Sequence, residues 1–487
     1  MKDKNTKDSD ILKELFHSVE KYINSDKSTP FTQSLKPAVL KKKLQLDISH
    51  RPEDPQIIKY WIDMYFKYCV KTHHYGFNNR MWAGANIPSI AGEIASIVSQ
   101  TSAGSYEAAP VSVLMEKYMI GVMVKLAGFK NGEGQMTTGS SNANMVAMMS
   151  ARNLVSENMK STGLFGHQEL FAFASEDAHY SLDKTVNILG IGLDHLIKIP
   201  VDGNGEMDMI ILEEKIQEVM ADGGNPFFVT ATLGTTVRGA YDPLTKILEL
   251  RDKYQFWLHC DGAWGGSAIF SDFLKVKYLK GLSKVDSFTM DFHKMPGTSL
   301  ICNVLLFNNR PGIMDFACNV GDKSYLHRKD DSGEDYNLGS YSLQCGRRVD
   351  SLKWFLDWKY YQKSGFAQRI ERYHHMAIIA EGIINDSKDL EMVVPRSSFN
   401  LCFRYKVPND INNFNEMLRT ELHNSGKTLI AYGYIGEELC LRLLLTHKDM
   451  NEKTLQDFFK TIITAGDKLK AGWMNTSGSP MQPKEKL

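Results

Sequence analysis

FWLHCDGAWGG (Phe256–Gly266) and SFTMDFHK (Ser287–Lys294) are the two segments on which the reading of this chain turns. Each is an apolar, strand-like run that closes on chemistry: Asp261 in the first, and the pair His293–Lys294 in the second. α/β sheets present their functional groups at the carboxyl ends of strands, so the acid and the lysine both fall at such an edge. A structural salt bridge is the commoner reason for a pair of this kind. The other reason is that they are the two anchors of pyridoxal phosphate, the lysine covalent and the aspartate on the pyridine nitrogen. The pair alone does not decide, and the flanking sequence has to.

Upstream, strands and helices alternate. LFAFAS (170–175), a helix from Tyr180, HLIKIPVD (195–202), LEEKIQEVM (212–220) and FFVTATLGTT (227–236) follow in order. This pattern predicts a mostly parallel sheet with covering helices. His179, in SEDAHYS, and Thr236, after FFVTATL, then share the strand-end edge with Asp261 and Lys294. A lone histidine there is more often structural than catalytic, but three such positions within 60 residues, Thr236 to Lys294, are not the setting of a random salt bridge. Further upstream, GEGQMTTGSSNANMVAMMSARN (132–153) runs small residues, ending in Ser140 and Ser141, into a helix with Asn142 near its start. Such a turn leaves backbone N–H groups free for an anion, although it would serve equally as a plain cap. Met145, Met148 and Met149 sit at helical spacing and read as core. The GIG at Gly190–Gly192 lacks the third glycine and the strand–turn–helix setting of a dinucleotide site.

Toward the N-terminus, IIKYWIDMYFKYCV (57–70) predicts a buried helix, and THHYGFNNRMWAG (72–84) breaks it into a loop that is either a binding edge or ordinary surface. Its His73–His74 pair has no carboxylate or cysteine at ligand spacing, so no metal site is expected. Residues before about 50 are polar and Lys-rich around one amphipathic stretch, Ile11–Ile23, which suits an arm that needs a partner surface. Beyond Lys294, residues 308–341 read as a long irregular stretch, functional or disordered. CGRRVDSLKWFLDWKYY (345–361) opens a long amphipathic helix. LCFRYKV, a helix near 413–425, ELCLRLLLT and a helix from about Glu452 then predict a small α+β domain. Arg442 is a charge among leucines, either paired or aimed at a ligand.

The bulk numbers exclude several classes. At 487 residues the chain carries two or three domains. Lys+Arg and Asp+Glu are both 57, so no net charge directs it to nucleic acid or an anionic membrane. No apolar run reaches membrane-spanning length, and the charged start MKDKNTKDSDILKELF is not a signal peptide. Seven scattered cysteines without a C-x-x-C predict neither disulfides nor a structural zinc, which points to the cytoplasm.

Taken together, FNNRMWAG, SYEAAPVSVLMEKYM, NGEG, SEDAHYS, GTTVRGAYDPL, WLHCDGAWGGS, FHK and QCGRRVD resemble, in order, the group II pyridoxal phosphate-dependent amino-acid decarboxylases of fold type I. Within these they resemble the glutamate and cysteine-sulfinate decarboxylases, over residues 46–465. The resemblance implies an α/β large domain with a mostly parallel seven-stranded sheet (96–370), an N-terminal arm and helical segment (1–95), and a small C-terminal α+β domain (371–487). It implies Lys294 as the Schiff-base lysine and Asp261 as partner of the pyridine nitrogen. His179 would stack on the ring with Ala263 opposite, and Thr236 would lie near the ring oxygen or the substrate carboxylate. Ser140, Ser141 and Asn142 would take the phosphate, with His293 beside it. Arg442 would hold the substrate α-carboxylate, Asn79 and Arg80 its side chain, and Tyr336 on a closing loop would return a proton to the α-carbon. The family pattern also implies a homodimer with active sites at the subunit interface.

Three positions depart from the pattern. Arg80 replaces a glutamine, Asp291 an asparagine near the phosphate, and Asn303 a frequent serine. A carboxylate near phosphate is costly unless paired or protonated. The expected activity is α-decarboxylation of a small, acidic L-amino acid such as aspartate, glutamate or cysteine sulfinate. The alternatives are 2,4-diaminobutyrate or an aromatic amino acid, decarboxylation coupled to aldehyde formation, and an inactive homologue that acts as a binding partner.

Overall fold

The computed structural model describes residues 8–25, 30–46, 56–321 and 336–476. The chain divides into two units, one of Ala85–Glu381 with Val394–Cys402, the other of the segments before Gly84, Gly382–Val393 and those after Phe403.

In the first unit the elements that build the site are, in chain order, helix α1 (Pro110–Ala127), strand β1 (Glu133–Met136), helix α2 (Ser140–Leu154), strand β2 (Leu170–Ser175), helix α3 (Ser181–Ile188), strand β3 (Leu196–Ile199), helix α4 (Met209–Ala221), strand β4 (Asn225–Thr232), helix α5 (Leu244–Tyr254) and strands β5 (Trp257–Asp261), β6 (Ser287–Asp291) and β7 (Asn303–Phe307). The strands form one seven-stranded sheet in the order β1-β7-β6-β5-β4-β2-β3. Neighbours from β3 through β6 pair in parallel, and β7 pairs antiparallel with both β6 and β1. The register Thr232↔Asp261↔Thr289 sets the ends of β4 and β5 level. A parallel sheet is covered on both faces and its strands are apolar throughout. FFVTAT of β4 and all of β5, β6 and β7 are indeed buried. Met148 of α2 lies in this core, and Met149 packs against it.

Residues 308–341 are less irregular than their composition predicts. Ile313–Cys318 is a short helix whose Ile313, Met314, Ala317 and Cys318 enter the core. The Glu133 carboxylate accepts from the N–H groups of Gly312 and Met314, which starts that helix without a local capping residue. Residues 322–335 of the stretch lie outside the described residues.

In the second unit, helices Asp8–Ile23 and Gln56–Tyr68 pack together, and Ser18 Oγ donates to Asp63 at 2.7 Å. The expectation that 57–70 forms a buried helix needs correction. The helix forms, but none of its residues is buried, and Ile58, Tyr60 and Tyr65 are exposed. Its apolar residues lie on more than one face, so a single neighbouring helix leaves part of them uncovered. A five-stranded sheet orders Phe77–Asn78, Leu429–Ile435, Glu438–Leu444, the Phe403–Tyr405 end of strand Asn400–Tyr405, and Leu390–Met392. The strand Leu429–Ile435 was not foreseen. It pairs Phe77 with Leu429 in parallel, drawing the start of the FNNRMWAG loop into the sheet.

Candidate active site

Four of the residues singled out from sequence lie at the carboxyl ends of parallel strands. Asp261 closes β5, Lys294 follows the end of β6 by three residues, His179 follows β2 by four, and Thr236 follows β4 by four. Asp261 is buried, and its Oδ1 accepts from the Ala263 N–H at 3.0 Å, so the residue expected to pack on the ring also orients the carboxylate. His179 is half-buried, and its Nδ1 accepts from the Ser181 N–H at 3.2 Å. Burial holds its pKa below the ordinary value; Asp261 and Asp291 pull it up while Lys294 pushes it down. The imidazole is therefore neutral near pH 7, with its proton on Nε2. Thr236 is half-buried on the loop after β4, where its carbonyl accepts from the Asn400 amide at 3.3 Å.

Lys294 and His293 both face the carboxylate of Asp291. Lys294 Nζ lies 3.1 Å and His293 Nε2 3.7 Å from Asp291 Oδ2. Asp291 Oδ1 accepts from the Ser140 N–H at 3.2 Å, the Ser140 hydroxyl at 3.0 Å and the Asn303 amide at 2.7 Å. Burial pushes this carboxyl up, but Lys294 and His293 outweigh it and leave it below the usual carboxylate range. The cost anticipated for a carboxylate here is thus met by pairing, and two of the departures from the family pattern explain each other, Asn303 being a donor to Asp291. Asp291 also serves as the cap of α2, whose own N-cap residue Gly139 (φ 99°) has no side chain to offer. Ser141 is exposed and Asn142 half-buried in the first turn of the same helix.

Tyr336 is half-buried, its ring centroid 5.4 Å from that of Tyr106 and 4.4 Å from the Lys117 ammonium. Arg442, Asn79 and Arg80 belong to the other unit. There the buried Arg442 guanidinium donates to the Asn79 carbonyl at 3.3 Å, while Arg80, the next residue, is exposed.

Sequence reasoning missed Asn144 and His259. Asn144 donates to Asp261 Oδ2 at 2.8 Å and His259 lies 2.9 Å from Asn144 Oδ1. The signal for His259 was present, since it precedes Asp261 by two residues and so shares its strand face. Among the described residues, no cluster of histidine, cysteine and acidic side chains could hold a metal, and no helix is long and apolar enough to cross a membrane.

A lysine and a shielded carboxylate at adjacent strand ends, a neutral histidine beside them and a helix N-terminus nearby fit pyridoxal phosphate. The carboxylate suits the ring nitrogen, the amine the aldehyde, and the N-terminus of α2 the phosphate. Fold and site together define a fold-type I pyridoxal phosphate-dependent enzyme. Residues 37–406 match the conserved domain of the pyridoxal-dependent decarboxylases. The acidic amino acid decarboxylase GADL1 of Xenopus tropicalis is 33% identical over 388 residues, 80% of this chain and 76% of that protein. Its Homo sapiens counterpart is 32% identical over 373 residues, 76% and 71% of the two chains. The crystal structure of mouse CSAD in apo form superposes with a TM-score of 0.89 at 28% identity, covering 94% of this chain and 98% of that one. The chain belongs to the pyridoxal-dependent decarboxylase family, and it is a pyridoxal phosphate-dependent amino-acid decarboxylase.

Proposed function

We propose that the substrate is a small acidic L-amino acid such as aspartate or cysteine sulfinate. The observation that carries this reading is that two arginines fall on one unit, Arg442 bonded to the Asn79 carbonyl and Arg80 the residue after Asn79. A substrate with two acidic groups can use both. The names of the relatives at 32–33% identity support the same preference.

When bound, pyridoxal phosphate supplies the electron sink that receives the electron pair left behind by departing CO2. Lys294 would anchor it through its side-chain amine. Asp261 would hold a proton on the ring nitrogen, because an adjacent negative charge favours the protonated form. His179 and Ala263 would pack against the ring, and Thr236 would contact the ring oxygen or the substrate. Ser141, Asn142 and His293 would hold the phosphate, whereas the Ser140 N–H and hydroxyl, expected to share that role, are given to Asp291. Arg442 binds the α-carboxylate bidentately and so fixes which bond breaks. Asn79 and Arg80 bind the side chain. The Tyr336 hydroxyl would deliver a proton to the α-carbon.

We further propose a homodimer with its sites at the subunit interface. Supporting it are the exposed Ile97 and Val98 on helix Ile87–Ser99 and Val111, Leu114 and Tyr118 on α1. A hydrodynamic mass of one chain would refute it. A cytoplasmic location agrees with none of the seven cysteines being in a disulfide; recovery in a membrane or secreted fraction would refute that.

The deciding experiment measures CO2 and amine release from L-aspartate, L-glutamate, L-cysteine sulfinate, L-2,4-diaminobutyrate and L-tyrosine, with Lys294→Ala as control. Turnover of an acidic substrate that the control abolishes is the expected result. Preferential turnover of diaminobutyrate or tyrosine would refute the acidic assignment.

A further inference from the structure

Asp261 sits at the end of a chain of buried polar groups that the reaction scheme above leaves unused. Asn144 on α2 gives one amide hydrogen to Asp261 Oδ2 at 2.8 Å and the other to Ser181 Oγ, at the start of α3, at 3.0 Å. Its Oδ1 faces His259 Nε2 at 2.9 Å. His259 Nδ1 lies 2.8 Å from Ser287 Oγ on β6, and the Trp257 indole N–H reaches the same hydroxyl at 2.8 Å. Asn144, His259 and Ser287 have no exposed surface at all.

The direction of every bond is fixed from the two ends. An ionised carboxylate only accepts, so Asn144 must present its NH2 to Asp261 and its carbonyl to His259. His259 Nε2 must then carry a hydrogen. Burial pushes this imidazole down to about 4, against the upward pull of Asp261, so it is neutral and its Nδ1 accepts. Ser287 therefore donates to Nδ1, and its oxygen receives the indole N–H, a group that can only donate. Trp257, Ser287, His259 and Asn144 all give a hydrogen in one direction, and the last of them gives it to Asp261.

We propose that Asn144 and His259 are positioning residues for the decarboxylation, forming with Ser287 and Trp257 a one-way relay of donors that keeps the Asp261 carboxylate ionised. The proposal deepens the reading that Asp261 faces the ring nitrogen of the cofactor, and it rests on that reading. Two groups in a buried acid–pyridine pair share one proton. Donors to the carboxylate favour its charged form and leave the proton on the ring; without them the neutral pair gains. Aligned donors polarise one another, so the far members of the chain matter as well as Asn144. The local Ala263 N–H supplies the other carboxylate oxygen, and a single remaining donor leaves Oδ2 unmet in a buried site.

The test uses the full-length protein loaded with pyridoxal phosphate carrying nitrogen-15 in its ring, whose chemical shift reports ring protonation directly. Asn144→Leu and His259→Phe break the chain, whereas His259→Gln keeps an N–H directed at Asn144. In the first two the ring signal should move toward the unprotonated position and kcat should fall about tenfold or more, the loss expected when a buried carboxylate oxygen is left without its donor. His259→Gln should retain the wild-type signal. A wild-type signal in both chain-breaking variants would overturn the relay, as would a His259→Gln protein that behaves like His259→Phe, since packing alone would then explain the effect. Should Asn144→Leu fail to fold, His259→Phe, one link further from the carboxylate, carries the same decision. A wild-type protein whose ring signal is unprotonated would instead overturn the placement of Asp261 at the ring nitrogen, and the relay with it.

Discussion

Replacing the two arginines of the proposed substrate site, one at a time, separates recognition of the α-carboxylate from recognition of the side chain. Arg442 is 8% exposed and hydrogen-bonded to the Asn79 carbonyl, so its charge is preorganised and shielded. Truncating one partner of a buried, hydrogen-bonded charge pair costs about 2–5 kcal/mol, which is roughly thirtyfold to a few thousandfold in kcat/KM. Arg80 is exposed, and an exposed ion pair contributes about 0.2–1 kcal/mol, no more than about fivefold. Every amino acid carries an α-carboxylate, but only acidic ones carry a second acidic group. Arg442→Gln should therefore reduce turnover of aspartate and of a neutral amino acid by similar large factors. Arg80→Gln should raise KM for aspartate or cysteine sulfinate by up to about fivefold and leave a neutral substrate unchanged. The assay is radiolabelled CO2 release at varied substrate concentration for both variants. An Arg80→Gln enzyme with an unaltered ratio of acidic to neutral kcat/KM would sink the side-chain assignment. An Arg442→Gln enzyme with near-normal kcat/KM would sink the other.

Lys294→Ala should abolish decarboxylation and also remove the visible absorbance of covalently held cofactor; persistence of that band would place the anchor elsewhere. Glu116 and Arg347 form an ion pair with exposures of 1% and 5%, so Glu116→Ala strands a buried guanidinium. It should lower the unfolding free energy by about 3–5 kcal/mol, read from the midpoint of a urea titration, and a change below about 1 kcal/mol would show that the pair is solvated. His259 gives a pH prediction. Its pKa falls from an ordinary value near 6.5 to about 4 on folding, so the unfolded chain takes up a proton in that window and the folded chain does not. Stability should therefore drop as pH is lowered from about 6.5 to about 4, by about 3 kcal/mol from this group. His259→Gln should flatten that part of the stability–pH curve, and an unchanged slope would contradict the assigned charge state.

What could be read from the sequence, and what could not, follows from the range of the interactions involved. The sheet was legible because FFVTAT and LFAFAS are continuous apolar runs between helical segments, a pattern set by burial on both faces. The strand-end positions of Asp261, Lys294, His179 and Thr236 came with it, since Asp261 closes its strand and the other three follow theirs by three or four residues. The helix at Ile313–Cys318 was hidden because its cap is Glu133, far away in sequence, and no local signal marks such a start. Tertiary capping also hides the role of Asp291, which reads as a misplaced charge until Ser140, Asn303 and Lys294 are seen around it.

Asn144 is the most instructive case. A polar residue in the helical sequence SSNANMV (140–146) looks like surface, yet Asn144 is wholly buried. A buried amide without partners would cost about 1–3 kcal/mol, so its position demands both a donor and an acceptor nearby. His259 and Asp261, two residues apart on one strand face, supply them from a single element. Sequence alone holds both halves of this relation, the buried-helix amide and the i, i+2 acid and histidine. It lacks only the packing of α2 on β5 that joins them, and that packing is what turns three ordinary residues into one electrostatic unit around the Asp261 carboxylate.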